Sequence, residues 1–354
     1  MKFFKIFFIF VLLSSSCKDV KNLEVSSENT FVFDYIENVQ IEENEEVLRI
    51  FSANESVEFP KNELPLKTAM VIPTVAISYM DELNVLDKIS GISQPDYIFN
   101  PKIHQKMKEN KIDVIGVFNE VFIEKILLNK PDVFISTSGP TLAKYHEILE
   151  KEGIRILYID EYEESNPLAR AEYVKIFGKL FGKETEAHSL FTEIVENYNG
   201  IKEKVKNSHS TKPKVMANQM YGDIWYVPGG KSFQSTLFKD AGGAYIWADT
   251  ESESTLNLSF ESVYEKALDA DVWLNAGDFP SIQSLVGSYP HYEWFQTVKN
   301  KKVYNWSKRS SASGANDYFE NGTVRPDWVL KDLAAIFYPE LFPNYELFFY
   351  KRLE

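Results

Sequence analysis

The sequence predicts an α/β fold: two parallel-sheet α/β lobes joined by one long helical spine, with an N-terminal β-hairpin. A module of glutamate, short amphipathic helix, aspartate stop and apolar strand occurs twice, as EKILLNKPDVFI at 124–135 and ESVYEKALDADVWL at 261–274. Helical and strand patterns alternate on both sides of a purely helical stretch at 168–206. Internal repetition of this kind indicates two lobes of similar architecture, each presenting one glutamate, Glu124 or Glu261.

The predicted organisation follows from these patterns. We expect a lipoprotein signal peptide at 1–16, a tether at 17–30, the N-terminal β-hairpin extension at 31–65, the N-terminal lobe at 66–166, the helical spine at 167–209 and the C-terminal lobe at 210–354.

The N-terminus has the features of a secretory signal. Lys2 and Lys5 precede an apolar run at 6–13, which is too short for a permanent span of roughly 20 residues. Cys17, the only cysteine, stands where bacterial lipoproteins carry their lipid-modified residue, although Ser14 replaces a commoner aliphatic residue. We expect lipidation at Cys17, and the alternative is ordinary cleavage beside an incidental cysteine. The expected location is the cell envelope, lipid-anchored on the periplasmic side of the inner or outer membrane.

The charge of the chain limits its partners. Lys and Arg number 38 against 52 Asp and Glu, for a net charge of −14. Nucleic acid is therefore excluded as a partner, since phosphate recognition needs a basic surface. The membrane is contacted through the lipid anchor only. Strong negative charge also opposes self-association, so we expect a monomer.

The first lobe is predicted from alternating strands and helices, which imply parallel βαβ units. The expected strands are 68–73, 89–93, 112–116, 132–136 and 154–159, and the expected helices are 76–86, 124–128 and 142–151.

The extension and the spine have different patterns from the lobes. Strands at 31–36 and 46–53 around an acidic loop form the expected hairpin. In the spine, apolar residues recur at i, i+3, i+4 and i+7, and Gly178 and Gly182 mark a kink or a joint between two helices. A helical connection of this length predicts a small cleft closure rather than a wide hinge motion.

The second lobe repeats the alternation. The expected strands are 214–219, 224–227, 272–275 and 303–306, with helices at 232–238 and 326–337.

Together these features resemble the substrate-binding proteins of ATP-driven importers for metal chelates, namely vitamin B12, ferric siderophores and haem. The resemblance covers 66–354 and rests on the paired modules, the spine, SFE at 259–261 and DAGG at 240–243. The tail NDYFENGTVRPDWVLKDLAAIFYPEL at 316–341 is similar to the ending of such proteins from Bacteroidetes-type bacteria.

The resemblance implies a ligand cleft between the lobes, a metal chelate as ligand, no intrinsic cofactor and an ABC importer permease as partner. It also implies that Glu124 and Glu261 dock onto arginines of that permease. The alternative is that both glutamates only stabilise helix N-termini, and the two roles are compatible.

Cleft residues are expected in loops that follow strand carboxyl ends. The candidates are Thr74, Tyr79, Tyr97 and Ser138 in the first lobe, and Tyr221, Trp225, Tyr226, Asn275, Trp306, Arg309, Asn316 and Asp317 in the second. The aromatic members suit a macrocycle or catecholate, although Trp225 and Tyr226 could equally fill a strand core. Arg309 is the candidate for an anionic ligand group, or else a solvated loop arginine.

Direct metal binding and catalysis have little support in the sequence. The 5 histidines are scattered without metal-ligand spacing, which leaves at most a single axial ligand to a bound metal. PGGKS at 228–232 lacks the first glycine of a phosphate loop, and no GxSxG motif is present. The chain is therefore expected not to be an enzyme. The alternatives are an extracytoplasmic hydrolase and a chelate-holding lipoprotein with no importer.

Overall fold

The computed structural model describes residues 30–208 and 211–354; the predicted signal peptide at 1–16, Cys17 and His209 lie outside them. The N-terminal extension is an antiparallel sheet whose strands follow chain order: β1 (Thr30–Phe31), β2 (Val39–Glu43), β3 (Val47–Ser52) and β4 (Glu55–Pro60). The expected hairpin is thus part of a four-stranded sheet. Its predicted strand at 31–36 is wrong, because the backbone N–H groups of 34–36 donate to the Glu172 carboxylate and not to a neighbouring strand.

The first lobe contains a six-stranded sheet in the order β10-β9-β5-β6-β7-β8, parallel except for β8. Its elements are β5 (Ala69–Val71), α1 (Thr74–Glu82), β6 (Ile89–Ser93), α2 (Pro101–Lys108), β7 (Asp113–Val117), β8 (Glu120–Val121), α3 (Ile123–Asn129), β9 (Val133–Ser136), α4 (Ala143–Lys151) and β10 (Ile156–Tyr158). All five expected strands are present, whereas α2 and β8 were not predicted.

Three helices connect the lobes: α5 (Pro167–Glu172), α6 (Val174–Phe181) and α7 (Glu184–Lys206). The predicted joint is at Gly182, which ends α6 with a left-handed φ of 69°. Gly178 has a different role, because a Cβ there would lie 2.6 Å from the Cβ of Ala187 and the two helices could not pack so closely. The long helix of the spine is α7, whose 23 residues span about 34 Å.

The second lobe has a five-stranded sheet in the order β14-β11-β16-β17-β18 and a separate antiparallel sheet β12-β13-β15. Its elements are β11 (Lys214–Ala217), β12 (Met220–Tyr221), β13 (Ile224–Val227), α8 (Phe233–Asp240), β14 (Ala244–Tyr245), β15 (Leu256–Leu258), α9 (Phe260–Ala267), β16 (Val272–Leu274), α10 (Ile282–Ser288), α11 (Gln296–Lys299), β17 (Val303–Asn305), α12 (Asn321–Val324), α13 (Pro326–Phe337) and β18 (Lys351–Arg352). The expected strand at 224–227 therefore exists, but outside the parallel sheet.

The repeated sequence module has the same place in both lobes. After α3, Asp132 Oδ2 accepts hydrogen bonds from the N–H groups of Lys67 and Thr68 at 2.8 and 2.9 Å, and β9 pairs with β5. After α9, Asp271 Oδ2 accepts from the N–H of Lys214 at 2.7 Å, and β16 pairs with β11. Each aspartate thus fixes the start of the adjacent parallel strand, β5 or β11, which confirms that the two lobes share one architecture.

The main hydrophobic core is continuous through the extension, the first lobe, the spine and the second lobe. A second core lies under the other face of the first-lobe sheet, around Phe134 and Ile156. Within residues 30–208 and 211–354, helices long and apolar enough to cross a membrane are absent.

Candidate functional site

A cavity of about 260 Å³ lies between the lobes, where the segment after β10 faces the ends of β11 and β13. Strand carboxyl ends are the usual location of ligand sites in open α/β sheets. The lining residues come from both lobes and are mostly polar: Tyr162, Glu163, Glu164, Ser165, Arg170, Asn218, Pro228, Ser232, Phe233, Gln234, Glu253, Ser254 and Thr255.

The lobes also touch through a second set of contacts, which we call the inter-lobe bridge and define as 96–99 against 309–320. Ser313 Oγ donates to the carbonyl oxygen of Asp96 at 2.8 Å. The N–H of Phe99 donates to the Glu320 carboxylate, and the Arg309 guanidinium lies 5.2 Å from the centre of the Phe99 ring. These contacts tie the loop after β6 to the loop after β17.

Glu320 is a deeply buried carboxylate of the inter-lobe bridge. It is 1% exposed, and its second carboxylate oxygen has no hydrogen-bond partner in the described part of the chain. Burial raises the pKa of Glu320 to about 7, and the nearby carboxylates of Asp317 and Asp81 act in the same direction.

In the first lobe, the candidates divide between surface and core, and none of them lines the inter-lobe cavity. Tyr97 is 48% exposed and meets Phe118 edge-on, with ring centres 6.3 Å apart. Ser138 is exposed and its N–H donates to Asp160, while Thr74 is half-buried at the start of α1. Tyr79 is wrong as a cleft residue.

Tyr79 belongs to the core because it lies on the side of α1 that faces the interior of the protein. The ring is fully buried and stacks on Phe177 with centres 5.0 Å apart, and the hydroxyl donates to the carbonyl oxygen of Arg170 at 2.5 Å.

In the second lobe, the aromatic candidates also divide. Tyr221 is 82% exposed at the end of β12, and Tyr226 is half-buried in β13. Trp306 is half-buried and stacks on Tyr318 with ring centres 4.6 Å apart. Trp225 is wrong as a cleft residue: it is fully buried, and its Nε1 donates to the carbonyl oxygen of Ala217 at 3.1 Å.

Asn275 follows β16 with a left-handed φ of 60°. Its side chain is buried, and neither amide atom has a hydrogen-bond partner of good geometry among the described residues. Buried amides are normally paired, and the neighbouring polar group here is the buried hydroxyl of Tyr350.

The remaining candidates form the loop that carries the inter-lobe bridge. Arg309 Nε bonds the fully buried Asp317, whose other oxygen accepts from Asn321 Nδ2 at 2.6 Å. Asn316 Oδ1 accepts from the N–H of Tyr318 at 3.0 Å. Asp317 is fully buried with both oxygens bonded, so it shapes the loop and is wrong as a ligand contact, whereas Asn316 is half-buried and its role as a ligand contact stays a prediction. Arg309 is half-buried and paired with Asp317 through Nε, so it is not the solvated loop arginine of the alternative, and its contact with an anionic ligand group stays a prediction.

Arg170 on α5 lines the cavity and was not predicted, because its helical pattern assigned it to the spine. Its Nε donates to the carbonyl oxygen of Glu164 at 2.9 Å and its Nη2 to that of Tyr162 at 2.7 Å. The guanidinium lies 3.8 Å from the ring centre of Phe233, and burial lowers the pKa of Arg170. Neighbouring Glu161 is buried, and burial raises its pKa to about 7.

The two glutamates of the repeated module occupy matching positions. Glu124 lies in the first turn of α3 and Glu261 in the first turn of α9, and both are exposed. The pKa of Glu261 is lowered, first by its own backbone N–H and then by the Ser259 hydroxyl. Each lobe thus presents one exposed carboxylate at a helix N-terminus.

Groups of three or more His, Cys, Asp and Glu side chains that could hold a metal ion are absent from residues 30–208 and 211–354. Two of the histidines make structural contacts. His146 Nε2 lies 2.9 Å from Ser136 Oγ, and burial lowers the pKa of His146. His104 Nε2 lies 2.7 Å from the carbonyl oxygen of Ile98.

Residues 82–310 match the sequence profile of the periplasmic binding protein family. The chain belongs to this family. Its members are solute-binding proteins, so the chain is not an enzyme and the hydrolase alternative is set aside. Over 298 residues the chain is 28% identical to an uncharacterized lipoprotein of Methanocaldococcus jannaschii, covering 82% of this chain and 69% of that protein.

Solved structures of similar fold have low sequence identity. A possible iron-binding periplasmic solute-binding protein of Staphylococcus epidermidis matches with a TM-score of 0.61 and 17% identity, over 77% of this chain and 99% of that one. A protein of an Fe³⁺-hydroxamate transport system from Saccharomonospora viridis matches with a TM-score of 0.61 and 17% identity, over 82% and 98%. A periplasmic haem-binding protein of Vibrio cholerae matches with a TM-score of 0.58 and 15% identity, over 75% and 99%. These likenesses show the two-lobed fold.

Proposed function

We propose that this protein captures a metal chelate, an iron complex or a cobalamin, in the cleft between its lobes and delivers it to an ABC importer. The observation that carries the proposal is the set of exposed aromatic side chains at strand carboxyl ends: Tyr97, Phe118 and Tyr162 in the first lobe, and Tyr221 in the second. Flat aromatic faces bind macrocycles and catecholates through stacking and apolar contact. Structural relatives described as iron-binding, hydroxamate-transport and haem-binding proteins support the same ligand class.

The proposal is tested by thermal unfolding of the soluble fragment 30–354 with cobalamin, haem, and ferric catecholate and hydroxamate siderophores. A ligand at about 100 times its Kd stabilises the folded state by about 2.7 kcal/mol, which a melting curve resolves. A shift with one class of chelate supports the proposal and identifies the cargo. The absence of a shift with every chelate would contradict it.

A matched pair of variants separates cleft binding from adventitious contact. Tyr221→Ser removes an aromatic that is 82% exposed at the end of β12, where we propose that it contacts the ligand, and should reduce the ligand-induced shift. Leu128→Ser removes a side chain that is 84% exposed on α3 and should leave the shift unchanged. Both variants should melt like the native protein without ligand, because neither side chain packs in the core.

We further propose that Glu124 and Glu261 dock onto arginines of the permease. The matching first-turn positions on α3 and α9 support this role, because a carboxylate pairs with a guanidinium through two parallel hydrogen bonds. The alternative is a chelate-holding protein with no importer, in which the two glutamates are idle.

We also propose that the mature chain is a monomer anchored to the membrane through a lipid on Cys17. The description of the M. jannaschii relative as a lipoprotein supports the anchor. Replacement of Cys17 by serine should move the protein from the membrane fraction to the soluble fraction on ultracentrifugation. Retention in the membrane fraction would show that another segment holds it there.

A further inference from the structure

The charges around the inter-lobe cavity are unevenly distributed. Its lining contains three carboxylates, those of Glu163, Glu164 and Glu253, against the single guanidinium of Arg170. Glu164 is occupied by the backbone N–H groups of Glu37 and Asn38 at 3.3 and 3.2 Å. Glu163 and Glu253 are exposed and have no ion-pair partner in the described part of the chain. Two carboxylates therefore remain available to a ligand.

The positive groups near the cleft are already engaged. Arg170 donates Nε and Nη2 to two backbone carbonyl oxygens and stacks on a ring. Arg309 is paired with buried Asp317, and Lys231 is paired with Glu251. An anionic ligand would have to compete with these contacts for the donor groups of the cations, because Arg170 Nε and Nη2 are held by carbonyl oxygens and Arg309 Nε by a carboxylate.

Two buried acceptor atoms in the lining have no donor. They are Asn218 Oδ1 and Gln234 Oε1, and both are shielded from solvent. The amide of Asn218 is oriented by its own Nδ2, which donates to the carbonyl oxygen of Tyr226 at 2.9 Å. Its oxygen must therefore be an acceptor at this site. A buried acceptor without a donor is costly unless something else supplies the hydrogen bond.

From these contacts we infer that this part of the cleft takes a ligand edge that donates N–H hydrogen bonds and carries no negative charge. Primary carboxamides and a protonated amine share that chemistry. The inference rests on the proposed function, because it specifies which chelates the cleft accepts. Chelates that present carboxylates or catecholate charge at this edge are disfavoured by Glu163 and Glu253.

The test is calorimetric titration of the whole mature protein, purified in detergent, with four probes. Cyanocobalamin presents carboxamides and ferrioxamine B a protonated amine, whereas haemin presents carboxylates and ferric enterobactin catecholate charge. We expect one of the first two probes to bind at least about tenfold more tightly than either anionic probe, a difference of about 1.4 kcal/mol. Comparison of cyanocobalamin with ferrioxamine B shows whether the ligand group that donates the hydrogen bond is a carboxamide or a protonated amine.

Variants locate the contact within the cleft. Gln234→Leu keeps the approximate volume of the side chain but removes the acceptor, and should weaken the preferred probe about tenfold while the unliganded protein melts normally. Glu196→Gln on α7 is the control, because this exposed glutamate is not among the residues that line the cavity and its loss should not alter affinity.

The outcomes are separable. Tighter binding of an anionic probe overturns the inference and leaves the proposed function standing. Failure of all four probes overturns both. If Gln234→Leu binds the preferred probe as tightly as the native protein does, the N–H donor of the ligand does not bind in this cavity and the inference is overturned.

Discussion

At the scale of single residues, the informative groups are buried carboxylates close to the place where the lobes meet. Glu161 and Glu320 are 7% and 1% exposed, and burial raises the pKa of each to about 7. An unfolded glutamate titrates near 4.5, so the folded protein binds these protons more tightly than the unfolded chain does. The folded state is therefore favoured at acidic pH and loses stability as these groups ionise.

The Glu320→Gln variant should remove one of these titrations. Because the folded pKa is raised, the stabilisation by protonated Glu320 is complete below about pH 4.5 and disappears as the pH rises through about 7. The native protein loses this stabilisation as the pH rises, whereas the variant has no such titration. The unfolding free energy of the variant, measured relative to that of the native protein, should therefore increase across that window by up to about 3 kcal/mol. Urea unfolding at pH 4.5, 5.5, 6.5 and 7.5, values chosen to span roughly this window, measures the difference.

The control for this prediction is Glu147→Gln, since Glu147 is an exposed side chain of α4 that makes one long ion pair with Lys151 at 3.9 Å. Its stability difference from the native protein should not vary with pH over the same window. A constant difference for Glu320→Gln as well would show that Glu320 is not the titrating group.

At the scale of elements, the buried carboxylate of Glu172 fastens the segment between β1 and β2 to the spine. Glu172 on α5 accepts the backbone N–H groups of Asp34, Tyr35 and Ile36 at 2.9, 2.7 and 3.1 Å. It also pairs with Lys175 of α6 at 2.5 Å, and its side chain is fully buried. The start of the described chain is thus tied to the helices that connect the lobes.

The Glu172→Gln variant should loosen this attachment. It leaves the buried Lys175 with only Asp34 as an ion partner and replaces one acceptor oxygen by an N–H₂ group, so the unfolding free energy should fall by about 2–4 kcal/mol. Hydrogen exchange at the amides of 34–36 should accelerate more than exchange in β5 or β11. Glu186→Gln is the control, because the solvent-exposed ion pair of Glu186 with Lys183 should contribute little to stability. Equal losses in the two variants would contradict the role of Glu172.

Sequence patterns predicted the elements that depend on local signals. Continuous apolar runs located β9 and β16, and Pro326 located the start of α13 correctly. The N-terminal sheet was only partly predictable, because the N–H groups of 34–36 bind a carboxylate 136 to 138 residues away. Tyr79 and Trp225 were assigned to the cleft because an aromatic after or within a strand has the same spacing whether it faces a ligand or the core. Arg170 was missed because the apolar periodicity around it predicts a helix but does not show that one side of this helix lines the cavity.

At the scale of the whole molecule, several contacts limit relative movement of the lobes. One hydrophobic core passes from the first lobe through α6 and α7 into the second. The inter-lobe bridge adds Ser313 on Asp96 and Glu320 on Phe99. Opening the cleft widely would break these contacts and expose Glu320. They support the prediction of a small closure, and they imply that Glu124 and Glu261 keep a nearly fixed separation.

A fixed separation makes the two proposed docking contacts cooperative. Once one carboxylate binds its arginine, the other is held close to its own, so the second contact forms at a high effective concentration. Losing either contact should then reduce docking strongly, and losing both should abolish it. We expect Glu124→Gln and Glu261→Gln each to lower chelate uptake by proteoliposomes that contain the permease, and the double variant to stop it. Affinity for the chelate should stay unchanged, because both glutamates lie outside the cavity lining.

Glu265→Gln is the matched control for docking, since it removes one exposed carboxylate from the same helix α9, one turn beyond Glu261. Its uptake should equal that of the native protein, because its side chain lies beyond the helix N-terminus that carries the proposed contact. Normal uptake by the double variant would contradict docking through these glutamates and favour a protein that holds its chelate without an importer. Loss of chelate affinity in the double variant would instead mean that the glutamates act on the cleft, since a docking role alone leaves ligand binding intact.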